Sequence, residues 1–484
     1  MRSIINLILI IIVFFISALI FKILIQFNNH DYLYSLKILI VLIIAIVFYI
    51  CALIFFNKEW KLSIIISSIA IIFALYSFEI YFKLTIGDSN PYIMKSQFLA
   101  KSIDGRSKIQ VIKDLRNKGK KVHTTINPLK DVSYEAWMGQ QGRNFFPLSG
   151  ISNTLTIFCN ELGFWSSYTS DKYGFNNPNE AYNNNPIDVI LIGDSFVHGA
   201  CIKQDQDIAS NLRSKNLNVI NLGYGGNGPL TELATLMEYA IHYQPKDVFW
   251  FFFRGDMADL HKEYSTKFLY KYIIEDNVKN SLKKNTFFTQ NLINRQKEVD
   301  QYLISYIKKE EEKIINKDKE YSFRFFDKEE TKNKLKIKDF LYHFFQINNE
   351  IKTDLRFLRI RRLLGLVDKN KNECLDFTCS HYLNIEFPII IDQARNVVES
   401  WNGNFHFVYL PSWWEYSDYK KNYINNKKMV LEVLKKLDIN IIDFNDYLIK
   451  NNNPQDYYAF SLPNHYNKEG YSLISEQLFE YLEK

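Results

Sequence analysis

The run Val189-Ile190-Leu191-Ile192-Gly193-Asp194-Ser195-Phe196-Val197-His198-Gly199 limits the fold more than any other stretch. Four apolar residues without polar alternation read as a strand covered on both faces, as in parallel sheets. The strand stops at Gly-Asp-Ser, so the chain turns sharply and presents a serine at the strand's C-terminal edge. In open α/β sheets that edge is where ligands bind. The pattern continues downstream. Strands are predicted over 187–192, 218–222 and 247–253, with helices over 205–215 and 231–242 between them. It resumes with a helix over 388–401, a strand over 405–410, a helix over 429–437, a strand over 439–444 and a last helix over 472–482. Strands alternating with helices predict a parallel, doubly wound sheet.

Three apolar runs precede this domain. Residues 4–21 are almost wholly apolar, residues 38–56 hold no charge, and residues 62–78 hold none until Glu79. Each approaches the roughly 20 residues that cross a hydrocarbon core. The first is too long for a signal-peptide core of about 7–15 residues, and no small-residue cleavage site follows it. Three transmembrane helices over 1–82 are therefore expected. Arg2 precedes the first, Lys58 and Lys61 occupy the second loop, and the first loop has no Lys or Arg until Lys37. The positive-inside rule then puts the N-terminus in the cytoplasm and everything after the third helix outside.

Residues 83–185 read as a juxtamembrane linker, basic over 101–121, followed by a small irregular or β-rich preface. Residues 155–158 and 163–168 suggest a hairpin within it, and its many aromatics suggest a satellite cluster or the mouth of a site. Residues 186–484 form the α/β domain, interrupted at about 258–385 by a Lys- and Glu-rich helical insertion. Its densest charge run, Lys308 to Lys313, reads as a solvated helix face, with a lid or docking surface as the alternative. Lys and Arg outnumber Asp and Glu by only 59 to 53, and no Arg-rich patch with interleaved aromatics marks a nucleic-acid partner. The five cysteines fit no zinc module; Cys374 and Cys379 are close enough to pair in an oxidising compartment, and five free thiols is the alternative.

Two further motifs accompany Gly193-Asp194-Ser195. Asn221-Leu222-Gly223-Tyr224-Gly225-Gly226 follows the second strand, and His465-Tyr466-Asn467-Lys468-Glu469-Gly470-Tyr471 precedes the last helix. Together, in this order, they resemble the SGNH (GDSL) hydrolase family over residues 187–256 and 405–484. The resemblance implies a flavodoxin-like three-layer fold with strand order 2-1-3-4-5. It implies Ser195 as nucleophile and His465 as general base. It also implies an oxyanion hole made by the backbone N–H groups of Ser195 and Gly226 with the side chain of the third-motif residue. The chemistry agrees with the residue types: a serine hydroxyl needs a base, imidazole is poised near neutral pH, and the tetrahedral oxyanion needs fixed donors. No cofactor or metal is implied.

The chain departs from the family pattern twice. The third motif carries Asp256 where the family has Asn. A carboxylate about 4 Å from an oxyanion repels it by about 4 kcal/mol at an effective dielectric of 20, roughly a thousandfold in rate. Asp256 is therefore expected to be protonated, turned away (towards Arg254, for example), or part of a weakened site. The acid that orients the histidine is replaced by Leu462 and Pro463; Asp456, Asp446 and Asp443 are the candidates to substitute. His198 reads as structural, and Trp413 and Trp414 as buried aromatics or a sugar-stacking pair. The function expected is a membrane-anchored, extracytoplasmic serine esterase that removes O-acyl, chiefly O-acetyl, groups from an exported polysaccharide or envelope glycan. Its partners would be the lipid bilayer and the O-acylated glycan. Two alternatives stand beside it: an O-acetyltransferase of the same fold served by a membrane acyl donor, and a catalytically impaired glycan-binding or assembly protein.

Overall fold

The computed structural model describes residues 2–25, 32–86, 104–127, 145–183, 186–264, 268–274, 278–284, 286–326, 383, 385–417, 420–450 and 453–484. These fall into two units, the helices of residues 2–86 and everything from residue 104 onward.

The first unit is built from helices α1 (Arg2–Ile25), α2 (Tyr32–Phe55) and α3 (Lys58–Ile86). Ile5, Leu9, Ala52 and Ile65 are buried between them, while Phe14, Phe15, Phe55 and Phe73 are exposed. Lys61 is buried and ties the three together: its ammonium donates to Asn6 Oδ1 of α1 at 3.0 Å and to the Leu53 carbonyl of α2 at 2.7 Å. Helices apolar all round belong in a core or a bilayer. Of the three expected spans, the structure gives one of full length among the described residues, Lys58–Phe78, with 21 residues and mean hydropathy 2.0. The described apolar stretches of α1 and α2 are Ser3–Ala18 and Leu42–Phe55, within helices of 24 residues each.

In the second unit, residues 104–127 and 145–183 are folded more fully than a linker. Helix α4 (Lys108–Asn117) starts at a capping box, Ser107 with Gln110, and buries Val111 and Ile112. These pack with Val122 and Ile157 of a three-stranded sheet, β1 (Val122–Thr124), β2 (Leu155–Ile157) and β3 (Ser167–Thr169). Strands β2 and β3 are antiparallel, as the hairpin reading requires, and β1 adds parallel to β2. The basic stretch is thus the helical face of a small α/β preface. Its apolar positions at i, i+1 and i+4 decide this over its charge.

The main sheet has five parallel strands: β4 (Val189–Ile192), β5 (Val219–Asn221), β6 (Asp247–Phe253), β7 (Asn404–Leu410) and β8 (Ile441–Asp443). Their order is β5-β4-β6-β7-β8, which is 2-1-3-4-5 counted within the domain. The short helix α5 (Ser195–His198), α6 (Ile208–Arg213) and α7 (Pro229–Glu238) connect the first three strands, and α8 (Asp256–Glu263) follows β6. Next come α9 (Val278–Lys283) and α10 (Gln296–Phe326). The sheet is then completed with α11 (Glu386–Glu399), α12 (Lys420–Lys436), α13 (Asn445–Leu448) and α14 (Lys468–Leu482). Strand periodicity sorts the two cores. Val248, Trp250 and Phe252 face one side with Leu233 of α7 and Ile390 of α11. Phe249 and Phe251 face the other with Leu212 of α6 and Ile474 of α14.

The described part of the insertion acts as a brace. Val299, Leu303 and Ile307 of α10 join the same core as Phe146 and Ile151 of the preface. Asp300 accepts hydrogen bonds from the Ser152 N–H at 2.8 Å and the Ser152 hydroxyl at 2.6 Å. Glu311, from the charge run expected to be a solvated face, pairs with Arg116 of α4 at 2.7 Å. Residues 327–382 of the expected helical insertion, Cys374 and Cys379 among them, lie outside the described residues.

Candidate active site

Ser195 is the first residue of α5, immediately beyond β4. Gly193 is needed there because a Cβ would stand 2.5 Å from Val197 Cγ2. Asp194 caps the helix, with Oδ1 accepting from the Phe196 N–H at 2.9 Å. Burial pushes its carboxyl up to about 6. Gly199, at φ +82°, ends the helix after one turn.

His465 lies across from it, on the loop before α14. Its Nε2 is 2.8 Å from Ser195 Oγ. Tyr458 and Tyr466 pair across this loop and both donate to the Pro411 carbonyl, at 2.8 and 2.7 Å. Phe196 packs against the imidazole with ring centroids 4.7 Å apart. The chain reaches this position through Phe460 and Ser461, both left-handed, at φ 55° and 53°. Asp456, the candidate orienting acid, serves that turn instead, accepting from Ser461 Oγ and Asn453 Nδ2, each at 2.8 Å. Trp413 braces the same turn from outside, its indole N–H donating to the Ser461 carbonyl at 2.8 Å.

The acid that faces the histidine is Glu161, from the preface. Its Oε2 and Oε1 are 3.0 and 3.1 Å from His465 Nδ1, and Oε2 also accepts the His465 backbone N–H at 2.9 Å. Burial alone would raise this carboxyl, but the charge of His465 and the hydrogen bonds from it hold it below the usual range, so it is ionised. Glu161 sits between β2 and β3, two residues after Cys159, and Cys159 is disulfide-bonded to Cys201, three residues beyond α5. The disulfide thus fastens the Glu161 loop to the segment that follows Ser195. Ligand-capable atoms of Glu161, Cys201 and His465 lie within 4.8 Å of one another, a metal-like spacing. With the Cys201 sulfur committed to Cys159, however, the set lacks a thiolate and reads as a hydrogen-bonded acid–base pair beside a disulfide.

Two of the residues expected in the oxyanion hole share a cavity. Ser195 and Gly226 line one cavity of about 270 Å³, together with Lys108 and Asn127 of the preface. Gly226 has φ +83°, a conformation suited to glycine. His198 holds this glycine loop: it is fully buried, burial pushes it down to about 3, and the neutral ring accepts the Gly225 N–H at Nδ1, 3.1 Å away. Asn221 ties the same loop to α5, accepting from the Gly223 N–H at 2.9 Å and donating to the Val197 carbonyl at 2.7 Å.

Asp256 is not among the residues lining this cavity. Its carboxyl turns back to accept the Phe253 N–H at 2.8 Å, rather than towards Arg254, and it is fully buried. Burial, then the nearby charges of Glu232 and Asp194, raise its carboxyl well above the ordinary range. Burial thus favours its neutral form, and the carboxyl stands outside the cavity that Ser195 lines.

Ser195 and His465 are thus brought together and Gly226 shares the Ser195 cavity, while Asp256 accepts a neighbouring backbone N–H and Asp456 accepts from the side chains of Asn453 and Ser461. The residues missed from sequence are Glu161, Asn127 and the Cys159–Cys201 pair. One signal was available: single cysteines close to each of two functional segments, in a stretch richer in aromatics than a linker needs. The chain matches no protein-family model and no curated protein.

Proposed function

We propose that this protein is a membrane-anchored serine esterase of SGNH type, acting on O-acyl, chiefly O-acetyl, groups of an extracytoplasmic glycan. The reading rests on one observation: Ser195 Oγ, the His465 imidazole and the ionised Glu161 form a continuous hydrogen-bonded line at 2.8 and 3.0 Å. In such a line the imidazole takes the serine proton as Oγ attacks the ester carbonyl, and the carboxylate stabilises the imidazolium. The acyl-enzyme then passes its acyl group to water. Glu161 replaces the acid missing at Leu462 and Pro463, which weakens the case for an impaired protein. The outside location is supported by the disulfide, which suits an oxidising compartment, and by Lys58 and Lys61 at the cytoplasmic end expected for α3.

Labelling full-length protein in detergent with a fluorophosphonate probe tests the mechanism. Wild type should be labelled, and Ser195→Ala and His465→Ala should not. Equal labelling of wild type and Ser195→Ala would end the proposal. Acetate release from an O-acetylated glycan, with and without an acceptor glycan, separates hydrolysis from transfer. A phosphatase reporter fused after residue 88 should be active if the domain lies outside.

A further inference from the structure

We infer that Asn127 supplies the side-chain N–H donor of the oxyanion hole, in place of the residue at 256. The inference rests on the esterase reading above and adds a catalytic residue to it.

Three observations carry it. The first is the position left open: the Asp256 carboxyl is turned to the Phe253 N–H and lies outside the cavity that holds Ser195. The second is the location of Asn127. It lines that cavity with Ser195 and Gly226. Its segment leaves β1 pinned to β2, with the Thr125 N–H donating to the Ile157 carbonyl at 3.1 Å. The third is how closely it approaches Gly226. A Cβ built on Gly226 would lie 1.5 Å from Asn127 Nδ2, 2.7 Å from Cγ and 3.3 Å from Oδ1. The amide nitrogen is therefore the end presented to the glycine whose own N–H is the backbone donor. Glycine is needed at 226 for this contact as well as for its φ.

An amide is also the right group chemically. It donates without carrying charge, and a preorganised donor gains strength as the carbonyl oxygen becomes negative. The preface then contributes two groups to one reaction, Glu161 on the histidine side and Asn127 on the oxyanion side. The α/β domain contributes the serine, the histidine and the glycine loop.

The test uses full-length protein in detergent, with 4-nitrophenyl acetate as substrate and the fluorophosphonate as label. Asn127→Ala should lower kcat by about 10²–10³-fold, with KM within about threefold of wild type. Asn127→Asp, nearly isosteric, should be as poor at pH 8 and should regain activity relative to wild type as the pH falls and its carboxyl protonates. A packing role would produce neither the kcat-only loss nor the recovery at low pH. If Asn127→Ala melts early, Asn127→Asp decides alone. Either variant turning over within threefold of wild type at pH 8 would overturn the inference, as would a loss confined to KM. The two readings fail separately. Wild type labelled, Ser195→Ala silent and Asn127→Ala unimpaired removes only the donor role. Wild type neither labelled nor active removes the esterase reading and the donor role with it.

Discussion

Replacing Glu161 with Gln is the most informative single change. The carboxylate holds the imidazole through Nδ1 at 3.0–3.1 Å and accepts the His465 backbone N–H as well. During attack on an ester the imidazole becomes positive, with charge centres about 4 Å apart. At an effective dielectric of 20 the attraction is about 4 kcal/mol, or roughly a thousandfold in rate. Glutamine removes that attraction. An amide N–H facing Nδ1 would also force the ring proton onto Nε2, where it faces Ser195 Oγ and cannot serve as a base. The expected result is a fall in kcat of about 10³–10⁴ on 4-nitrophenyl acetate, with little change in KM. Glu161→Asp, shorter by one methylene, should fall between. Because Glu161 is held below the ordinary carboxylate range, its own ionisation should not limit activity above about pH 5. A Glu161→Gln protein that melts like wild type and retains more than a tenth of its kcat, while Ser195→Ala is dead, would refute the triad.

Three further outcomes follow from the same structure. Removing the disulfide by the paired change Cys159→Ser and Cys201→Ser frees a 42-residue loop, which should cost about 4 kcal/mol of stability in the chain-entropy account and should lower kcat by loosening Glu161; unchanged melting and kcat would argue against that role. Asp256→Asn restores the residue type of the family pattern but should leave kcat within about threefold, because that side chain serves the Phe253 N–H; a large gain would put residue 256 back in the oxyanion hole. Glu263 is buried and accepts the N–H groups of Gly228, Leu230 and Thr231, and burial pushes it up to about 7 from 4.5. The folded state then binds the extra proton, so stability falls as pH rises from about 4.5 through 7, by on the order of 3 kcal/mol. Glu263→Gln, which cannot ionise, should shrink the difference in melting temperature between pH 6 and 8.5, and an unchanged difference would contradict the assignment.

What could be read in advance was what is local. Asp247–Phe253 was placed to the residue because both of its faces are covered and its apolar run is unbroken. Ser195, Gly226 and His465 were legible because each sits in a short motif whose backbone geometry is set by adjacent residues. Glu161 was not, since it meets a histidine 304 residues away and nothing in Cys-Asn-Glu-Leu announces that contact. The cysteines make the same point. Cys374 and Cys379 drew attention by their closeness in sequence, whereas Cys159 and Cys201 pair because the fold brings their Cα atoms to 5.0 Å. The span count is met in part: among the described residues Lys58–Phe78 is long and apolar enough to cross a membrane.

The strand–helix alternation that begins at residue 186 looks like a natural place to cut the chain. A fragment starting there would keep the nucleophile, the base and the glycine loop, and would lose Glu161 together with Cys159. Such a protein would carry every recognisable motif and still be a poor catalyst. On the proposed triad, catalytic competence would be divided between a recognisable domain and an unrecognisable one. Transplanting, trimming or classifying it by the recognisable part alone would misjudge what it can do.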